Sequence, residues 1–377
     1  MSEQTEGDNA GWAIGPSIAM ELDIALSVVQ GYFGIGGLPE DVVALLQSLA
    51  PDWLAEAPDL LGEGSHIVSI LGWAADLADH VQDGDYGRAT LAIRQLTVEE
   101  ALARVTAQAQ PYGLTPDASL LPAERLVDLW LSLIVALYTS LGFDFAPEDR
   151  LVRRTRQDLA RVARILTGGD LHARFWQWLD RFYYGSYHSW REAHAETFEV
   201  MERRVITALG AREHEGQPPE IDWLPELSPL RRYPELQSAV RQGRVRVFFW
   251  VEPIGLSDLW TLLPGWLLVS FAEPGAVYQN FQAFAADVAG RAKALADPTR
   301  LIILRMIRHF GLINTEMARA LGLSRPTVSV HAKILREAGL IESHREGREV
   351  RHQIVRQEVL RLLHDLNQFL DLEDEEE

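Results

Sequence analysis

Apolar residues recur at helical spacing through the first half of the chain. Ile18, Leu22, Ala25, Leu26 and Val29 lie three or four positions apart, the interval that puts side chains on one face of an α-helix. The same pattern predicts a helix from Pro39 to about Leu49 and others at 66–80, 84–95, 97–109, 122–141, 147–167, 170–184 and 189–210. No internal repeat emerges. Residues 215–234 contain five prolines and read as an irregular connector. The period then changes. Val245, Val247, Phe249 and Val251 alternate with Arg244, Arg246, Phe248 and Trp250, as along a strand. Trp266–Phe271 is a second strand candidate, able to pair with the first. A helix follows from about Gln279 to Leu295.

The last part of the chain carries sharper punctuation. Asp297-Pro298 is a helix start, because Asp accepts from first-turn amides and Pro is pre-set for the first helical position. Ile303, Leu304, Ile307 and Phe310 form the expected apolar side. Asn314 is placed to cap the next helix, with Met317, Ala318 and Leu321 inward. Gly322 ends it, Leu323 fills the turn, and Ser324 caps a third helix at once. Two short helices joined this tightly make a helix-turn-helix. On the third, from Arg325 to about Ala338, Val328, Ala332 and Leu335 share one side. Arg325, Ser329, Lys333 and Arg336 are expected on the opposite one. That polar, basic stripe suits base edges and phosphates, with Ser324 and Thr327 beside it. A solvated helix face is the plainer alternative, and the preceding helix and turn favour DNA. Leu340–Arg345 and Glu349–Val355 read as two strands turning at Gly347, a wing with Arg345, Arg348 and Arg351 near its tip. The alternative is a surface hairpin whose arginines pair with Glu346 and Glu349. A final helix from Gln357 carries Val359, Leu362, Leu363, Leu366, Phe369 and Leu370 as one apolar stripe. Such a helix packs on its own domain or pairs with a second copy; a dimer is expected, since two half-sites multiply affinity and selectivity.

Charge refines this picture. The chain of 377 residues has a net charge of −19, which by itself argues against nucleic acid. Residues 286–370 nevertheless hold 14 basic and 9 acidic residues, a net of +5. Residues 371–377 hold six acids, and the rest of the deficit lies before residue 286. Phosphate would repel the acidic body, leaving the C-terminal module to face DNA. Only Lys293 and Lys333 are lysines, a bias read as compositional. The absence of cysteine excludes disulfides, zinc-thiolate sites and thiol chemistry. Hydrophobic residues make up 47% of the chain, enough for a large core. Leu126–Phe143 is the longest apolar stretch but holds Asp128, and it reads as a core helix rather than a membrane span. The first residues show no signal-peptide pattern, so a cytoplasmic protein is expected.

The segment ALADPTRLIILRMI, followed by EMARALGLSRPTVSVHAKILREAGLIESHREGREVRHQI, resembles the ArsR/SmtB family of bacterial repressors over about 80 residues. The resemblance implies a dimeric repressor that releases DNA when an inducer binds, with the residues around Arg325 and Ser329 facing the bases. Arg325 stands where Gln is common in that family and Val330 where His is common, which implies an operator of its own. The family's metal-binding cysteine positions correspond to about Ile313 and Thr315, and neither ligates a soft metal. His364-Asp365 lacks the spacing of the family's other site. His188, Glu192, His194 and Glu196 do not share one helix face, so a surface or ion-paired reading is preferred to a metal site. No metal and no cofactor is expected.

The aromatic run Phe175, Trp176, Trp178, Phe182, Tyr183, Tyr184, Tyr187, Trp190 suits either a ligand pocket or a helical core, and core is the simpler reading. No phosphate loop, nucleophile elbow or other catalytic constellation emerges, and Gly34-Ile35-Gly36-Gly37 reads as a loop. The expected architecture is mainly α. It comprises a flexible stretch 1–16, a helical domain 17–214, a connector with a small β element 215–278, a winged helix-turn-helix domain 279–370 and an acidic tail 371–377. The expected function is a DNA-binding transcription regulator, a dimeric repressor under control of a small-molecule or protein effector. An enzyme or interaction scaffold with an appended winged helix is the alternative.

Overall fold

The apolar repeats between Ser17 and Gly210 fold as helices in the computed structural model, which describes residues 12–30, 38–62, 69–143, 150–210, 229–252, 260–264, 266–271, 276–311, 313–346 and 349–370. The chain divides into two compact units that part at Val277 and Tyr278. The first contains β1 (Trp12–Ile14), α1 (Ile18–Val29), α2 (Glu40–Gln47), α3 (Pro51–Leu61), α4 (Ile70–Leu77), α5 (Tyr86–Gln95) and α6 (Val98–Ala109). It continues with α7 (Pro122–Ser140), α8 (Arg150–Leu166), α9 (Gly169–Phe182), α10 (His188–Ala193) and α11 (Ala195–Gly210). Short α12 (Pro229–Arg232) and α13 (Pro234–Arg241) lead into β2 (Arg246–Val251), β3 (Trp260–Leu263) and β4 (Trp266–Phe271).

Local chemistry accounts for most of the helix boundaries. Ser17 caps α1 by accepting from the Met20 amide, and Thr97 and Glu100 cap α6 reciprocally. The start of α4 has a tertiary cap instead. Asp23, buried on α1, accepts from the amides of Ile70, Leu71 and Gly72 at 3.2, 2.9 and 2.7 Å. Asp23→Ala leaves three buried amides without an acceptor and is expected to cost the first unit about 3 kcal/mol. Urea unfolding followed by tryptophan fluorescence measures this. A loss under about 1 kcal/mol would mean that water replaces the carboxylate.

The sequence pattern does not predict α3. Its prolines, Pro51 and Pro58, mask the helix, yet Pro51 occupies the first turn and Trp53, Ala57, Leu60 and Leu61 are buried on one side. Two further proline positions, Pro229 and Pro234, open α12 and α13 inside the segment expected to be irregular; residues 215–228 of that segment lie outside the described residues. The aromatic run is core. Trp53 and Trp178 stack at 4.3 Å, and each indole N–H donates to the other residue's carbonyl, at 2.8 and 2.9 Å. Of the eight aromatics in the run only Tyr184 is exposed. Between α9 and α10 the backbone widens into a π-turn, Tyr183–Tyr187. Leu126, Leu129, Trp130, Leu133, Ile134 and Leu137 of α7 are buried, and among the described residues no helix is long and apolar enough to cross a membrane.

The strands join one sheet in the order β1-β2-β4-β3. β2 runs parallel to β1 and to β4, and β3 is antiparallel to β4. Two expectations change. Trp12–Ile14, placed in a flexible terminus, is an edge strand paired with Val247–Phe249; three residues are too few to show a period. The β element also belongs to the helical unit rather than to a separate connector. β2 is buried on both faces from Val247 to Val251, because elements cover both sides of a central parallel strand.

Candidate nucleic-acid interface

The second unit is built from α14 (Ala276–Lys293), α15 (Pro298–Phe310), α16 (Asn314–Leu321) and α17 (Arg325–Glu337). β5 (Ile341–Glu346), β6 (Glu349–Ile354) and α18 (Arg356–Phe369) complete it. Asp297 accepts from the Arg300 amide to start α15, and Arg300 donates back to the carbonyls of Ala294 and Lys293, fixing α15 to the end of α14. Gly322 takes the left-handed conformation (φ 64°) that ends α16. Two residues later Ser324 accepts from the Thr327 amide at 3.2 Å and starts α17. The two helices are therefore set by a turn of three residues. Ile303, Ile307, Met317, Val328, Ala332, Leu335, Leu340 and Leu362 form one core beneath them.

α17 buries Val328, Ala332 and Leu335, as expected. The basic stripe is not opposite that face. At 100° per residue its centre is only about 90° away. The outermost line of the helix is instead Pro326, Val330, Lys333 and Glu337, all exposed, with Val330 at 57%. Arg325 and Ser329 lie at the flank, where they meet α16. The Arg325 guanidinium donates to the Thr315 hydroxyl, and the Ser329 hydroxyl is 3.5 Å from the Asn314 amide nitrogen. Thr327 is half-buried, its hydroxyl 2.7 Å from that of Ser324. Lys333 is 3.6 Å from Glu337, one turn on, and Arg336 is exposed.

Asn314 does not cap α16. It is the first helical residue, and Glu316 accepts from the Ile313 amide in its stead at 3.0 Å. The Asn314 side chain joins a relay into the wing. Its Oδ1 accepts from His352 Nε2 at 2.9 Å, and His352 Nδ1 is 2.8 Å from the Ser343 hydroxyl, directly across the β5–β6 ladder. Burial, and after it the charge of Arg336, push the His352 imidazole down. A neutral ring fits both contacts, with Nε2 donating to Asn314 and Nδ1 accepting from Ser343. Sequence reading missed Asn314, Ser343 and His352 as supports of the interface. They are single polar residues on three elements, and only the fold brings them together.

The wing departs from expectation at Arg351. It pairs across the ladder with His344 and donates to the Gly311 carbonyl at 2.9 Å, so it ties the wing to the end of α15 instead of reaching its tip. Arg345 is exposed on β5 opposite Val350. Gly347 and Arg348 lie outside the described residues. Phe310, expected on the apolar side of α15, is 70% exposed, because Gly311 ends the helix before that turn meets the core.

The stripe on α18 divides. Leu362 is buried in the unit's own core, with Val359 and Leu366 packed against it. Phe369 meets Phe284 edge-on at 5.4 Å. Leu363 and Leu370, with Leu360, are exposed. One 14-residue helix thus serves its own core on one edge and presents leucines on the other. Arg291 of α14 fixes its orientation through the buried Asp365 at 2.5 Å.

At the two positions that correspond to the family's metal-binding cysteines, Ile313 is buried and the Thr315 hydroxyl accepts from Arg325. His194 pairs with Asp41 at 3.2 Å rather than with Glu192 or Glu196. Among the described residues no three His, Asp or Glu side chains stand together as a metal site would require.

Residues 297–343 match the family model described as bacterial regulatory protein, arsR family. The chain is 38% identical over 79 residues to the HTH-type transcriptional regulator NmtR of Mycobacterium tuberculosis, covering 21% of this chain and 66% of that one. It is 39% identical over 69 residues to the HTH-type transcriptional repressor SmtB of the same organism, covering 18% and 51%. With the transcriptional repressor SdpR of Bacillus subtilis it shares 32% identity over 62 residues, 16% of this chain and 69% of the relative. The chain thus spans about half to two thirds of the length of the relatives it matches.

Proposed function

The chain belongs to the arsR family of bacterial regulatory proteins, and from that premise we propose that it is a DNA-binding transcription regulator whose residues 279–370 hold the operator. The observation that carries this reading is α17 itself. It is set by a three-residue turn and seated on α15 and α16 by three apolar residues, and its exposed surface carries Lys333 and Arg336, with Arg325 and Ser329 on the flank beside α16. A helix so mounted enters a major groove, and Ser324, Thr327 and the wing arginine Arg345 lie where flanking phosphates would run, with Arg348 of the same wing expected to join them. Arg351 acts through the wing it braces.

In the finer reading the protein is a dimeric repressor. Leu360, Leu363 and Leu370 form the seam between copies, in place of the full stripe read from the sequence. Residues 17–278 receive the effector. A cavity of about 220 Å³ at the carboxyl ends of β1 and β2, lined by Pro16, Glu21, Arg191, Phe198, Glu202 and Val251, supports effector control. An enzymatic role has no comparable support.

Selection of bound duplexes from a random library by the full chain tests the proposal, followed by titration at several salt concentrations. We expect one enriched motif and a steep fall in affinity with salt. Lys333→Gln should weaken binding to all sequences alike and reduce the logarithmic salt slope by about 1. No enrichment, or binding independent of salt, would overturn the reading.

A further inference from the structure

One of the residues standing farthest from the core of the helix-turn-helix is apolar. Pro326, Val330, Lys333 and Glu337 fall within about 60° of one another on α17, nearly opposite Val328, Ala332 and Leu335. Arg325 and Ser329 are drawn toward α16 by Thr315 and Asn314. Val330 has no such tie and is 57% exposed. A β-branched apolar side chain there neither packs nor favours the helix.

If α17 enters the groove, Val330 is pressed against base edges. Its isopropyl group cannot donate or accept a hydrogen bond. Opposite adenine or guanine N7, guanine O6 or the cytosine amino group it would strip water and return nothing. The major groove offers one apolar partner, the 5-methyl group of thymine. We propose that Val330 is a specificity-determining residue that selects a thymine in each half-site through that methyl group, with Lys333 beside it on a phosphate. This rests on the reading of α17 as the recognition helix.

The test uses the full chain and the duplex enriched by selection. Each thymine is replaced singly by deoxyuridine, which removes the methyl group and leaves base pairing intact. One position per half-site should lose about fourfold in affinity, the worth of one buried methyl. Val330→Ala, a surface change that leaves the fold intact, should bind the thymine and uracil duplexes equally. Should selective, Lys333-dependent binding persist with no thymine whose replacement separates wild type from Val330→Ala, this inference falls and the regulator reading stands. Should no duplex be selected at all, the regulator reading falls and this one with it.

Discussion

Changing Arg325 and Ser329 together to alanine is expected to lower discrimination between the selected operator and random duplex by about a hundredfold while leaving the protein folded. Both side chains are exposed, and each spends its hydrogen bonds on α16 in the free protein. Release from Thr315 and Asn314 lets them reach base edges at little cost. A well-placed arginine contact to guanine supplies about 1–3 kcal/mol of discrimination and a serine contact less, together about a hundredfold. The fold loses only two surface hydrogen bonds, so the midpoint of thermal unfolding should stay within a few degrees. Competition binding against random duplex gives the ratio. A double variant that discriminates as well as wild type would show that these two residues position the helix without reading sequence.

Arg191→Met should destabilise the first unit by about 3 kcal/mol at neutral pH, and by less in acid. Glu21 is 1% exposed, and Arg191 grips it with Nε to Oε2 at 2.7 Å and Nη2 to Oε1 at 3.2 Å. Burial pushes the Glu21 carboxyl up, and the hydrogen bond and charge of Arg191 only partly pull it back; the same contact holds Arg191 more firmly protonated. The pair therefore offsets a cost rather than adding a surplus, and its value lies in what its loss would expose. Without Arg191 the carboxyl rises further. A raised folded value favours the protonated form, so the variant's deficit is largest above that value and shrinks as pH falls toward the ordinary carboxyl range. Urea unfolding at pH 5 and pH 7.5 measures both. Glu21→Leu combined with Arg191→Met should recover most of the loss, since no charge then remains buried. A small, pH-independent loss in the single variant would mean that water reaches Glu21.

Much of the second unit was legible because it is written in short-range chemistry. Asp297-Pro298, Gly322 and Ser324 each act on amides or backbone angles within a few residues, so α15, the turn and α17 need no tertiary information. The inward residues Val328, Ala332 and Leu335 followed from the helical period alone. The same period also puts Val330 on the outermost line of α17, beyond the polar stripe. α3 was hidden because proline counts against a helix in general while fitting its first turn in particular.

The sequence by itself determined the boundaries of α15 and α17, the inward face of α17, and that the last part of the chain is a winged helix of the arsR kind. These depend on interactions a few residues long. Tertiary structure alone decided which apolar residues a helix buries in its own unit and which it shows, as with Leu362 and Leu363. It also decided that Asn314 meets His352 and Ser329, that Arg351 braces the wing, and that Trp12–Ile14 completes a sheet with strands more than two hundred residues away. Such contacts join groups distant along the chain. Their energies depend on distance and burial in space, which no local pattern encodes.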